Sequence, residues 1–95
     1  MEVRIQSIHF DASEKLEAFI QKKAEKLEKF CDNIKKVEVS LKVVKPETAM
    51  NKEAGVRVLA LNTEFYAEKV SDTFEESIDV CMDALSKHCL LYTSD

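Results

Sequence analysis

Residues 13–31, SEKLEAFIQKKAEKLEKFC, decide the fold. Leu16, Ile20, Leu27 and Cys31 recur at helical spacing, with Phe19, Ala24 and Phe30 beside them, and define the buried face of an amphipathic helix. Placed at ~100° per residue, Lys15, Lys22, Lys26 and Lys29 fall within an arc of roughly 60° next to that face. Glu14, Glu17, Glu25 and Glu28 fall on the other side of the helix. A helix built only for solubility would alternate its charges and pair them one turn apart. Here Lys22 faces Lys26 and Lys26 faces Lys29, each like-charge pair costing roughly 0.2–0.5 kcal/mol. Glu25 can still reach Lys22 and Lys29, so a solvated charged face stands as the alternative to an edge that meets a polyanion. Lys23 projects into the apolar arc near Phe19 and Phe30. Either its stem snorkels with the ammonium at the rim, or the helix presents it to that polyanion.

Ninety-five residues make one domain, long enough for a core without metal or disulfide support. High charge, one Gly and one Pro describe regular elements joined by short turns. The N-terminal MEVRIQSIHF has no basic region followed by an apolar run, and no stretch approaches the length of a membrane span. The expected location is cytoplasmic, where the three cysteines stay thiols and Cys31 and Cys81 act as small core hydrophobes. No C-x-x-C spacing suggests a zinc or redox site, and no metal or other cofactor is expected. A formal charge of −4 excludes a uniformly basic nucleic-acid binder, so any RNA contact must use a local patch.

Outward from the helix, Glu2–Phe10 reads as a strand with Val3 and Ile5 on one face, Arg4 and Gln6 on the other, and a break near Ser7. Asp11 or Ser13 caps the helix, Asp11 with Glu14 forming a capping box. Ile34–Lys45 alternates, Val37, Val39, Leu41 and Val43 inward against Glu38, Ser40 and Lys42 outward, and Pro46 ends it. After the polar loop PETAMNKE, Gly55–Leu61 forms a third strand, Asn62–Thr63 a turn and Glu64–Val70 a fourth strand. Ser71 or Asp72 caps a second helix with the apolar stripe Phe74, Ile78, Cys81, Met82 and Leu85 and an acidic face of Glu75, Glu76, Asp79 and Asp83. The order β-α-β-β-β-α predicts an α/β (α+β) two-layer sandwich, a four-stranded sheet with both helices on one face.

In that order and spacing, AEKLEKF (Ala24–Phe30), VEVSLKVVK (Val37–Lys45), SDTFEESID (Ser71–Asp79) and DALSK (Asp83–Lys87) resemble the short ribosome hibernation-promoting factors. These are also called ribosome-associated inhibitors or sigma-54 modulation proteins. The resemblance runs from Val3 to about Lys87. It implies a stress-response translation regulator on the small ribosomal subunit, in the channel of messenger and transfer RNA, with lysines against phosphates of 16S-type rRNA. Lys23, Lys26 and Lys29 occupy family-basic positions, as do Lys42 and Lys45 in the second strand and Lys87 in the second helix. With Lys22 these are the expected RNA-binding residues. The short type also implies either action on single ribosomes or a separate ribosome-dimerising partner, with no small-molecule substrate.

Two departures stand out. Ala84 sits where the family commonly has a basic residue, and the chain ends HCLLYTSD in place of a lysine-rich tail. CLLYTS is what TGT CTC TTA TAC ACA TCT encodes, a string that matches a transposon-end adapter of sequencing libraries. The expectation is therefore a native domain over residues 1–88 and a non-native read-through tail over residues 89–95, the alternative being a genuinely shortened tail.

The leading function is a non-enzymatic wedge that occludes the channel, held by phosphate contacts that read RNA shape. A protein-interaction module using the exposed sheet face, without RNA binding, is the alternative, and salt dependence separates the two. A hydrolase is disfavoured, since the chain has no Gly-rich phosphate loop and no nucleophile elbow. His9 and His88 read as rim residues, and Asp79 with Asp83 as solvated helix residues rather than an acid–base pair.

Overall fold

Aliphatic, mostly β-branched residues on alternate positions make the second strand, and the first and third strands are hydrogen-bonded to its two edges. The computed structural model describes residues 2–8, 11–31, 34–44, 51–61 and 63–93, with the backbone alone over 90–93. Its elements are β1 (Glu2–Ile8), α1 (Glu14–Phe30), β2 (Ile34–Val43), β3 (Lys52–Ala60), β4 (Glu64–Ser71) and α2 (Phe74–Thr93). The sheet has four strands in the order β1-β2-β3-β4. β2 runs parallel to β1 and antiparallel to β3, and β3 is antiparallel to β4. A parallel pair cannot be closed by a hairpin, and α1 supplies the crossover.

The core lies between one sheet face and the two helices. Val37, Val39 and Leu41 of β2 and Ala54, Val56 and Val58 of β3 meet Leu16, Ile20, Ala24 and Leu27 of α1. The predicted stripe of α2, from Phe74 through Ile78, Cys81 and Met82 to Leu85, is buried in the same cluster. α2 packs on β3 and β4, and α1 lies beside it toward β1. Phe30 departs from its predicted place beside the core: it is 46% exposed and lines the cleft between the two helices.

Both caps are narrower than the sequence alternatives. Ser13 Oγ accepts from Leu16 N at 3.1 Å, whereas Asp11 lies too far before Glu14 to reach the first-turn amides. At α2 the cap is Thr73, neither Ser71 nor Asp72: its Oγ1 accepts from Glu76 N at 3.1 Å, while Ser71 is still β4 and buried. Ser77 is fully buried and donates to Lys52 O at 2.7 Å, tying the first turn of α2 to the start of β3.

Strand ends moved for a common reason, the length of the partner. β3 starts at Lys52, three residues before Gly55, because β2 pairs along its whole edge as far as Val43 with Lys52. The break at Ser7 is absent, since parallel pairing carries through Ser7 with Leu41 to Ile8 with Lys42. His9, Phe10, Lys45, Pro46 and Asn62 lie outside the described residues.

The three thiols expected from composition are corrected to one. Cys31 and Cys89 are joined by a disulfide across 5.5 Å between Cα atoms, leaving Cys81 as the free cysteine among the described residues. The two lie 58 residues apart, at the end of α1 and well along α2, and only the helix pairing brings them together. α2 runs without a break across the boundary drawn at residue 88, and a helix continues as readily over a foreign apolar segment as over a native one.

Urea denaturation checks this packing. Ile20→Ala and Ile78→Ala, both at fully buried positions, should each cost about 2–5 kcal/mol. Ser13→Ala and Thr73→Ala should each cost about 1 kcal/mol, with Asp11→Ala and Asp72→Ala within about 0.5 kcal/mol of the parent.

Candidate nucleic-acid interface

The spacing that buries Leu16, Ile20 and Leu27 turns the lysines of α1 toward solvent along its upper edge. Lys22, Lys26 and Lys29 are exposed, and among the described residues none of them has a carboxylate partner. Below them the seam between α1 and α2 opens into a cleft of about 210 Å³. Its floor includes Leu27 and Met82, and its rim carries Lys23 and Lys26 from α1 opposite Asp79 and Asp83 from α2.

Lys23 lies at the rim of that cleft. Its side chain is 26% exposed, Nζ lies 2.6 Å from Asp79 Oδ1, and the same ammonium sits 5.4 Å from the Phe19 ring centroid. The acidic stripe of α2 thus neutralises one position of the basic edge. Lys87 is exposed and pairs with Asp83 at 3.2 Å within its own helix. Asp79 and Asp83 are therefore both engaged by lysines rather than by each other.

The structure divides the predicted set. Lys22, Lys23, Lys26 and Lys29 share α1, and Lys87 belongs to the same helical layer. Lys42 lies on the opposite, open face of the sheet, because it alternates with the inward Leu41. Lys45 lies outside the described residues.

Sequence reasoning passed over most of the open face. Arg4, Glu38, Arg57 and Tyr66 form one cross-strand row there, and Gln6, Ser40, Gly55 and Glu68 the next. Arg57 Nε pairs with Glu64 at 3.1 Å, and its Nη1 lies 3.9 Å from Glu38. Tyr66 is 53% exposed and donates its hydroxyl to Glu68 at 2.9 Å. That bond, with burial and the nearby carboxylates adding to it, holds the phenol above its usual pKa, so it stays protonated. The available signal was period two along four strands, which aligns these residues only once the register is known.

His88 is exposed and meets the Phe65 ring edge-on at 6.2 Å between centroids. Cys81 is buried with Sγ 3.5 Å from Ala54 O. Burial, and secondarily Glu68, push its thiol up to about 11, which suits a packed side chain and not a nucleophile. Among the described residues no cluster of His, Cys, Asp and Glu could hold a metal ion, and no helix is long and apolar enough to cross a membrane.

Comparison with known proteins bears on this arrangement. The family described as Sigma 54 modulation protein / S30EA ribosomal protein matches residues 3–89. Among solved structures, a ribosomal subunit interface protein from Coxiella burnetii superposes with a TM-score of 0.82 at 18% identity, covering 100% of each chain. The N-terminal domain of Thermus thermophilus Protein Y gives a TM-score of 0.81 at 16% identity, over 97% of this chain and 99% of that one. At such identities the two likenesses concern the fold. No curated protein matches the sequence.

Two measurements check the electrostatics. A double-mutant cycle on Lys23 and Asp79 should give a coupling below about 1 kcal/mol, because Asp79 is largely solvated. Cys81 should resist alkylation at neutral pH in the folded chain. Its folded pKa of about 11 exceeds the ordinary 9.0, so the stability it contributes is intact below pH 9 and is lost as pH rises toward 11. A Cys81→Ala variant should lack that part of the alkaline loss.

Proposed function

The chain belongs to the Sigma 54 modulation protein / S30EA ribosomal protein family, and on that premise we propose that it is a ribosome-binding inhibitor of translation. In this reading it is a cytoplasmic hibernation factor without enzymatic activity. It occupies the messenger and transfer RNA channel of the small subunit and is held there by lysine contacts to rRNA phosphates. The observation that carries the reading is the row Lys22, Lys26 and Lys29. In a chain with 18 acidic residues against 14 basic ones, this edge is left without carboxylate partners among the described residues. Like-charge neighbours on one helix cost stability unless a polyanion meets them.

Each lysine has its own part. Lys22, Lys26 and Lys29 meet phosphate directly. Lys23 must exchange Asp79 for phosphate, an exchange made cheap by the solvation of that pair. Lys87 does the same against Asp83. Lys42 contributes only if RNA also reaches the open face of the sheet, and Lys45 stays in the proposed set on the family resemblance alone. The contacts read the shape of folded RNA and leave base identity unread.

The non-native character of residues 89–95 also stands as a proposal. If it holds, the native chain has no Cys89, and the bond to Cys31 belongs to this sequence alone. Resequencing the source locus should show reading that diverges at codon 89 and continues into a basic segment; the same codons followed in the genome would overturn it.

Co-sedimentation with purified small subunits across a salt series tests the main reading. The parent chain should pellet with steep salt dependence, and Lys22/Lys26/Lys29→Glu should abolish pelleting. A neutral Lys22/Lys26/Lys29→Gln variant should flatten the log–log salt slope by about 2–3. Asp79→Asn, which frees Lys23, should bind about 2–5-fold tighter. Pelleting that ignores salt would point to a protein contact and sink the lysine edge.

A further inference from the structure

We propose that the open face of the sheet holds a stacking site for a single unpaired guanine base, with Tyr66 as its platform and Glu38 and Arg57 reading its edges. It uses the layer opposite the lysine edge and involves none of the α1 lysines, so it stands or falls separately from the ribosome reading.

The platform is shaped by the one glycine of the chain. A Cβ at Gly55 would lie 2.8 Å from Tyr66 Oη, so the tyrosine reclines across β3 where there is no side chain to lift it. Glycine inside a strand forfeits packing and entropy, and it marks places where another group must approach the backbone closely. The hydroxyl is anchored on Glu68, and the residue remains 53% exposed. A phenol held at one end and open to solvent is the geometry on which unpaired bases stack.

The surroundings fit a base rather than an apolar segment. Beside the ring lies a cleft of about 230 Å³, its walls made by Arg4, Gln6, Glu38, Ser40 and Arg57. Glu38 is the one carboxylate of that lining. Its own cationic partners, Lys36 at 3.6 Å and Arg57 at 3.9 Å, are long contacts that leave acceptor capacity free. Arg57 is tethered through Nε to Glu64 at 3.1 Å.

Charge complementarity selects the base. Guanine alone offers two adjacent donors, N1–H and N2–H, which match the two oxygens of one carboxylate. Its other edge presents O6 and N7, a pair of acceptors suited to an arginine fork. Adenine and cytosine set an acceptor beside their donor, and uracil sets its N–H between two carbonyls, so each would face Glu38 with a repulsive lone pair. The guanine can belong to single-stranded RNA or to a free nucleotide, since the recognised chemistry is the same.

Amide-resolved NMR titration of the full chain tests this with GMP, AMP and two uridine pentamers carrying a central guanine or adenine. GMP should shift Ser40, Gly55, Arg57 and Tyr66 while leaving the amides of α1 in place, and AMP should bind about tenfold more weakly or worse. Tyr66→Ala should weaken GMP by about tenfold or more, Tyr66→Phe should retain it, and Glu38→Gln should erase the preference for guanine. Should Tyr66→Ala fail to fold, Glu38→Gln carries the decision. A guanine pentamer that binds tighter than GMP identifies RNA as the source, and the reverse order identifies a free nucleotide; both support the site. Equal responses to GMP and AMP, shifts confined to α1, or no shift at millimolar nucleotide would overturn it. None of these outcomes depends on whether the chain pellets with ribosomal subunits.

Discussion

Everything in this molecule depends on β2 keeping Val37, Val39 and Leu41 on one side. The strand is hydrogen-bonded along both edges, parallel to β1 and antiparallel to β3, so its register sets the register of each. A slip of one residue would turn these three to solvent and bring Glu38 and Ser40 into the core. The burial of three aliphatic side chains therefore determines where Arg4, Arg57 and Tyr66 stand on the opposite face as firmly as it determines where the helices pack.

That constraint produces two surfaces with different electrostatic character. On the helical layer, the edge of α1 carries lysines with no intramolecular counterion among the described residues, next to the acidic face of α2 that claims Lys23. On the open layer several charges are paired: Arg4 with Glu2, Lys36 with Glu38, and Arg57 with Glu38 and Glu64. Unpaired cations attract phosphate at a distance and are screened by salt. Paired charges beside an exposed ring give directional contacts to a base edge instead. One small fold thus separates an edge of unpaired lysines from a face where an exposed ring lies beside paired charges.

Helix periodicity and strand alternation make the element order, the sheet layer and both apolar stripes legible in the sequence. Leu16, Ile20, Val37, Ile78 and Leu85 are all buried where the pattern places them. The ends were less legible because they are set by partners. Lys52 joins β3 because Val43 is there to pair with it, and Thr73 is the cap because β4 runs on through Ser71. Lysine identity on α1 was equally legible, since Lys22, Lys26 and Lys29 follow from helical spacing alone.

By itself the sequence determined which residues face inward and which edge of α1 is cationic, because both are properties of a single element repeating at its own period. Tertiary structure alone decided that Asp79 reaches Lys23 from 56 residues away, that Cys31 meets Cys89, and that Lys42 stands on the far layer from the other lysines. It also decided that Tyr66 lies over Gly55 beside Glu38 and Arg57. Those relations depend on crossing, pairing and register between elements, which no local periodicity contains.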